Sequence, residues 1–485
     1  MQILFNVTTS EKRAAIVKDG KLIEVMIERP NAYPKAGNIY LGRIAKVLPG
    51  IQAAFVDVGF EQNGFIHDTD LVDKNKGKKT DSISEKIHEG QWIIVQVKKE
   101  ASKSKGPLLT ENITLPGENL VYLPFGNYTA VSKKLSDEET IRMKDVGTSL
   151  ITGQEGLIMR TSSTETSVDI LEQEVSRLRE QWTSLSGKAR NMKRVSLLFE
   201  GNTLIERALA HTSNEQAAYI FDDFTYYQSF KQNYPEFSKQ TQLYKRFENI
   251  FSHYDIEQSI HKALQSVVWL KNGGYINIDP TEALTVIDVN TGKYIGKQDR
   301  SQSILETNLY AADEAAKQLR LRNISGMIVI DFIRMDNQDQ QKKVLQLLED
   351  RLNQDPIRTR VHGFTALGLL ELTRQKVKDS LSALMTEKCL LCKASHRQLS
   401  VESVYYAFER TLFEHRNTDE EGIWIEATNP LLLFITDPGE NREDRLSSLV
   451  SAKLYITEKK DVEYPMFHIR QIGRCGEIES RISME

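Results

Sequence analysis

Thr285-Val286-Ile287-Asp288 and Ile328-Val329-Ile330-Asp331 are the stretches whose reading decides the fold. Each is an apolar, largely β-branched run that delivers an aspartate, and the interval between them is mostly one long amphipathic helix. Strand, helix, strand at that spacing predicts a crossover unit with two parallel strands. Neighbouring strands lie about 4.8 Å apart, so Asp288 and Asp331 are expected side by side at the carboxyl edge where open α/β sheets place their sites. Two hard oxygen ligands at that separation suit Mg²⁺. Residues i and i+2 of a strand share a face, which sets the Asn290 amide beside Asp288. Such a trio suits hydrolysis of a phosphodiester, with the ion offsetting charge on the phosphoryl oxygens and Asn290 holding one of them. Strand-end aspartates also cap helices and turns, and the residues alone leave that alternative open.

Working outward, 485 residues exceed one ordinary core, so three or more packed units are expected. With 40% hydrophobic and 27% charged residues the chain is globular rather than disordered. A net charge of −4 argues only weakly against a nucleic-acid partner, because local patches govern such binding. No basic region precedes an apolar run at Met1-Gln2-Ile3-Leu4-Phe5, and no window approaches the roughly 18 apolar residues of a membrane helix. Three cysteines make no disulfide framework. A cytoplasmic protein without membrane attachment is expected.

Residues 2–8, 12–18 and 21–28 read as strands, the last two joined by Asp19-Gly20, a strong hairpin signal. Glycine-punctuated short strands from Gly37 to about Lys99 predict a small antiparallel barrel. Ile170, Leu171, Val175, Leu178 and Trp182 form a helical apolar stripe. Residues 203–265 read as helical, with Tyr226, Tyr227, Tyr244, Phe247 and Phe251 as core. Arg320, Arg322, Arg374 and Lys376 are candidates for steering an anionic substrate.

Four runs together resemble the bacterial ribonuclease E/G family: Leu284 to Gly292, Asn308 to Arg322, Gly326 to Ile333 and Gly368 to Lys376. The resemblance extends over nearly the whole chain and points to the compact, ribonuclease G-type members. It implies a Mg²⁺-dependent endoribonuclease that cuts single-stranded, often A/U-rich RNA in rRNA processing and mRNA decay. Asp288 and Asp331 would be the metal ligands, Asn290 would position the scissile phosphate, and the products would carry 5′-phosphate and 3′-hydroxyl ends. Gly37-Asn-Ile-Tyr-Leu-Gly-Arg43, Ala53-Ala-Phe-Val-Asp-Val-Gly59 and Gly64-Phe65 look like the family's OB-fold RNA-binding barrel. There Phe55 and Phe65 would stack bases and Lys105 would grip RNA, within a basic ridge that includes Lys98, Lys99 and Lys103. The same phenylalanines would otherwise fill the barrel core. Arg160 and Thr161 match the pair that senses a 5′-monophosphate, and Gly117 and Val121 match the loop that closes that pocket.

Cys389-Leu-Leu-Cys392 supplies two of the four ligands of a structural Zn²⁺. The resemblance implies a zinc shared between two chains of a homo-oligomer, although the family's proline and glycine turn residues are replaced here by Leu390 and Lys393-Ala394-Ser395-His396. The implied architecture is α+β and multi-domain. A ribonuclease H-like subdomain takes residues 1–36 and 207–265, the OB barrel 37–112 and a 5′-end sensor 113–206. A deoxyribonuclease I-like catalytic subdomain follows at 266–386, then a cysteine linker at 387–397 and a small C-terminal α+β domain at 398–485. The long disordered scaffold and membrane-binding segment of larger relatives are expected to be missing. The rival reading is a non-catalytic RNA-binding or ribosome-assembly protein; cleavage of DNA is a third.

Overall fold

The computed structural model describes all residues except 31–34, 73–81, 101–105, 133–134, 202, 210–216, 293–299, 336, 390–396, 438, 461, 463 and 485. The chain divides into two compact units, Met1–Pro30 with Ala208–Glu485, and Asn31–Arg207. Among the described residues no helix is long and apolar enough to cross a membrane.

In the Asn31–Arg207 unit, five strands close into a barrel: Ile39–Leu48, Ala53–Asp57, Gly64–His67, Leu108–Thr110 and Trp92–Lys99, the last pairing back onto the first. Closure removes the exposed sheet edges and makes this an OB-like barrel. Its core is built from inward-facing residues such as Ala54, Val56, Ile66, Val95 and Leu109. A second sheet runs Thr129–Val131, Gly156–Met159, Leu120–Leu123, Leu115–Pro116. The helix Val168–Arg190 buries Leu171, Val175 and Leu178 in the core beside this sheet. Ile170, expected on that stripe, is 52% exposed because it falls outside the i, i+4, i+7 line of those three.

The other unit begins with a five-stranded sheet in the order Thr241–Leu243, Ala218–Phe221, Gln2–Asn6, Lys12–Lys18, Lys21–Glu28. The first three are mutually parallel and the last two antiparallel. Two of these strands lie in the segment expected to be wholly helical. Ala218-Tyr219-Ile220-Phe221 is a short parallel strand whose last three residues are buried, which gives a continuous apolar run with no alternation to betray it. Of the aromatics expected in the core there, Phe251 is fully buried, whereas Phe247 is 66% exposed.

A six-stranded sheet follows, ordered Val267–Trp269, Tyr275–Pro280, Leu284–Asn290, Gly326–Asp331, Leu370–Arg374, Thr359–Phe364. Only Leu284–Asn290 and Gly326–Asp331 pair parallel within it. The connecting helix Arg300–Leu321 packs on one face through Ala311, Ala312, Ala315 and Ala316, small residues that let its backbone approach the sheet. A three-stranded sheet (Lys453–Lys459, Gly422–Thr428, Phe467–Gly473) packs against Val401–Glu414 at the C-terminal end.

Candidate functional site

Thr285, Ile287 and Val289 point into the core, so the alternation of the strand sends Val286, Asp288 and Asn290 to the other face. The neighbouring strand does the same, with Ile328 and Ile330 inward and Asp331 outward. Asp288 pairs with Asp331 in the parallel register, which puts both exposed carboxylates on one face in one row. The Asn290 amide donates to Asp288 Oδ2 at 2.8 Å. On the other side Asn277 pairs with Asp288. The three residues singled out from the sequence therefore meet.

Two devices fix this row. Asn308, fully buried on the connecting helix, accepts from Ile333 N at 3.0 Å and donates to Ile333 O at 2.8 Å, clamping the chain just beyond Asp331. Sequence reasoning gave Asn308 no role; its signal was a polar residue on an alanine-rich buried helix face. Past Asn290, Gly292 adopts φ +59, and a Cβ there would meet Gly273 O at 2.3 Å. Only glycine lets the strand end abut the preceding hairpin turn so closely.

Three of the four expected steering cations are engaged within the fold. Arg374 is 2% exposed, pairs with Asp355 at 2.8 Å and donates to Asn323 and Ile324 O. Arg322 is buried and donates to Gln318 and Gln265 O, and Arg320 faces Glu24. Arg320 and Arg322 lie at and just beyond the end of the helix Arg300–Leu321, and Arg374 ends the strand Leu370–Arg374. Lys376 stays exposed beside Asp379.

On the barrel, Phe55 and Phe65 form a cross-strand pair with ring centroids 5.9 Å apart. Neither belongs to the barrel core, because Ala54, Val56 and Ile66 take the inward positions. The core-filling alternative is thereby excluded. Lys46 pairs with Phe55 on the adjoining strand and adds a cation that the sequence reading passed over. Lys98 is engaged by Asp70 at 2.8 Å, so it is no simple member of a basic ridge. Lys103 and Lys105 lie outside the described residues.

Arg160 follows the strand Gly156–Met159, and its backbone N–H donates to Asn119 O at 2.9 Å. That bond ties Arg160 to the turn holding Gly117 and to the strand holding Val121, which pairs with Ile158. Thr161 opens a 3₁₀ turn, its hydroxyl 3.2 Å from that of Ser132. All four expected residues thus meet at one end of this sheet. Glu174 organises the turn by accepting from Asn119 N and Nδ2. A Cβ at Gly117 would lie 2.0 Å from Glu174 Oε1, so any side chain there would displace the carboxylate that holds the turn. Glu174 was also missed, although a carboxylate on the Leu171–Val175–Leu178 face marked it. Deeper in, burial raises the Glu155 carboxyl, but hydrogen bonds from Arg179, Tyr122 and Thr152 outweigh it and hold the group at about 2.

Cys389 is a free, half-buried thiol following the ribbon strand Thr386–Lys388, which pairs with Arg397–Leu399. Cys392 lies outside the described residues. Among the described residues no group of three or more His, Cys, Asp or Glu side chains is arranged to hold a metal.

The model of the Ribonuclease E/G family matches residues 114–377, a span that contains Asp288, Asn290, Asp331, Gly117, Val121, Arg160 and Thr161. The chain is 38% identical over 426 residues to a Haemophilus influenzae protein named Ribonuclease G, covering 85% of this chain and 87% of that one. It is 35% identical over 442 residues to Ribonuclease G of Salmonella typhimurium, covering 88% and 90%. Ribonuclease E of Nostoc is 35% identical over 389 residues, which is 78% of this chain and 56% of that longer protein.

Proposed function

The chain belongs to the ribonuclease E/G family, and from that premise we propose that this endoribonuclease cuts single-stranded, A/U-rich RNA with Mg²⁺, favours 5′-monophosphorylated substrates, leaves 5′-phosphate and 3′-hydroxyl ends, and acts in rRNA processing and mRNA decay. The observation that carries this reading is the register that pairs Asp288 with Asp331. Two exposed carboxylates paired in register fit Mg²⁺, which takes one or two carboxylates and leaves its other positions to water and phosphate. When bound, Mg²⁺ supplies Lewis acidity to the phosphoryl oxygens and lowers the pKa of an attacking water. Asp288 and Asp331 hold that charge at the strand ends. Asn290, held by Asp288, keeps one amide N–H to orient a non-bridging phosphoryl oxygen as charge grows on it.

The Phe55–Phe65 pair supports a stacking role toward unpaired bases. The grouping of Arg160, Thr161 and the Gly117 turn supports a monophosphate pocket, since the planar guanidinium grips two oxygens and a triphosphate is bulkier and more charged. The order of the five-stranded sheet supports the ribonuclease H-like reading of that layer, and the six-stranded sheet with its helices on one face supports the deoxyribonuclease I-like one.

A 5′-monophosphorylated A/U oligoribonucleotide should be cut by the pure protein with Mg²⁺ and left intact with EDTA, and the matched DNA should not be cut. Binding without cleavage would favour the RNA-binding or assembly-factor reading. Arg160→Ala should abolish most of the preference for 5′-phosphate over 5′-hydroxyl ends, a loss of roughly tenfold for a charge-assisted pair. An unchanged preference would remove Arg160 from the sensor.

Cys389 and Cys392 would share a zinc with the same pair of a second chain. Native mass combined with elemental analysis should then give about half an equivalent of zinc per protomer in a dimer or larger assembly. A zinc-free oligomer would sink the shared site.

A further inference from the structure

We propose that Trp269 and Tyr275 form a stacking platform for a nucleobase next to the scissile phosphate. The inference rests on the reading of Asp288 and Asp331 as the cutting centre and adds a base subsite to it. Trp269 is 69% exposed, an unusual state for the largest apolar side chain. Its strand neighbours Val268 and Leu270 point to the core of the sheet, so the indole is not one of the residues that hold the fold together. In the register, Trp269 pairs with Tyr275 and Tyr275 pairs with Asn290. Directly paired residues share a face, so the indole and phenol stand on the face that carries Asp288, Asn290 and Asp331. Tyr275 is one strand spacing from Asn290, about 4.8 Å, and Trp269 is one spacing further.

The adjoining row reads Val267, Asn277, Asp288, Asp331, so the acids and the aromatics occupy successive rows of one surface. The two rings are 5.4 Å apart and inclined at 58°, in mutual contact but not stacked flat. Both ring systems therefore keep π surface for a third partner. A phosphate held at Asp288 and Asp331 brings the base of an adjoining nucleotide over these rings. Stacking tolerates any base but favours one outside a duplex, since within a duplex the faces are covered by stacked neighbours. The platform would thus help to restrict cutting to single strands at the cutting centre itself.

The test uses the full chain, Trp269→Ala, Trp269→Phe and Tyr275→Ala, with an A/U oligoribonucleotide carrying one abasic nucleotide walked across the cut. Trp269→Ala should lower single-turnover kcat/KM by roughly tenfold, and Trp269→Phe should recover most of it. One abasic position beside the cut should weaken the parent by a similar factor and add nothing in Trp269→Ala. Adding Trp269→Ala to Asp288→Asn should weaken RNA binding by the same factor. Equal abasic penalties in parent and variant, or a native mass lowered by Trp269→Ala, would overturn the platform, the latter by showing a second copy on this face. Normal cleavage by Asp288→Asn would overturn the cutting centre instead, whatever the binding difference.

Discussion

Asp288→Asn is expected to leave RNA affinity within about twofold of the parent while lowering Mg²⁺-dependent cleavage by on the order of 10³-fold or more. The substitution keeps the shape of the side chain, and the residue is exposed on its strand, so folding should be untouched. Its buried neighbours Ile287 and Val289 stay where they are. The local hydrogen bond also survives in form, because the new amide can turn its carbonyl toward the Asn290 Nδ2 that now sits 2.8 Å from Oδ2. Only the charge is removed. Asp331→Asn should do equal damage, since the register sets the two carboxylates side by side and a shared Mg²⁺ would need both. The double variant should then be little worse than either single one, as for groups that act as a unit. Asn290→Ala should cost about 10²-fold, less than either acid, because it removes a donor rather than the charge. Rapid-quench cleavage and fluorescence anisotropy on one oligonucleotide separate the two effects. Additive losses across Asp288 and Asp331 would show that they do not share a role.

That pair was legible in the sequence because the signals were local and redundant. Alternation set Asp288 and Asn290 on one face, and a helix-length interval made the strands parallel, so adjacency needed no further information. The Asp19-Gly20 hairpin was legible for the same reason, and both residues adopt the positive φ that such a turn demands. Ala218–Phe221 was hidden because a strand buried in the middle of a sheet lacks alternation. Arg374 and Arg322 were misplaced because a sequence counts cations but does not show Asp355, Asn323 or Gln318 waiting for them. Glu174 and Asn308 were overlooked for the opposite reason: a polar residue on an apolar face reads as noise until its backbone partners, Asn119 and Ile333, are seen.

The same blindness conceals the largest effect on stability, expected at Glu11. This carboxylate is 2% exposed and receives Arg29 at 2.9 Å and Arg410 at 2.7 Å. Close by, fully buried Arg13 reaches Glu257 at 2.6 Å and lies over the Phe251 ring at 4.4 Å. The residues of this cluster come from positions 11, 13, 29, 257 and 410, so the network ties the N-terminal strands to the helix Val401–Glu414. Glu11→Ala would leave two guanidinium groups short of a buried counter-charge, which costs about 3–5 kcal/mol. Thermal unfolding followed by circular dichroism should show the transition lowered by roughly 5–10 °C. Glu11→Gln should lose nearly as much, which separates the charge from the cavity. The pH dependence follows with a definite sign. Burial raises the Glu11 carboxyl, but Arg410, Arg29 and Arg13 outweigh it and leave it lowered. Burial likewise opposes ionisation of Glu257, yet Arg13 and Arg410 hold it at about 2. Groups lowered on folding contribute stability above their unfolded value near 4.5 that is lost as pH falls through the folded value. The parent should therefore melt at a constant temperature down to about pH 5 and lose stability progressively toward pH 2. Glu11→Ala should start lower and fall less steeply. A variant that melts with the parent, or parallel acid limbs for the two proteins, would show that the guanidinium groups find compensation elsewhere.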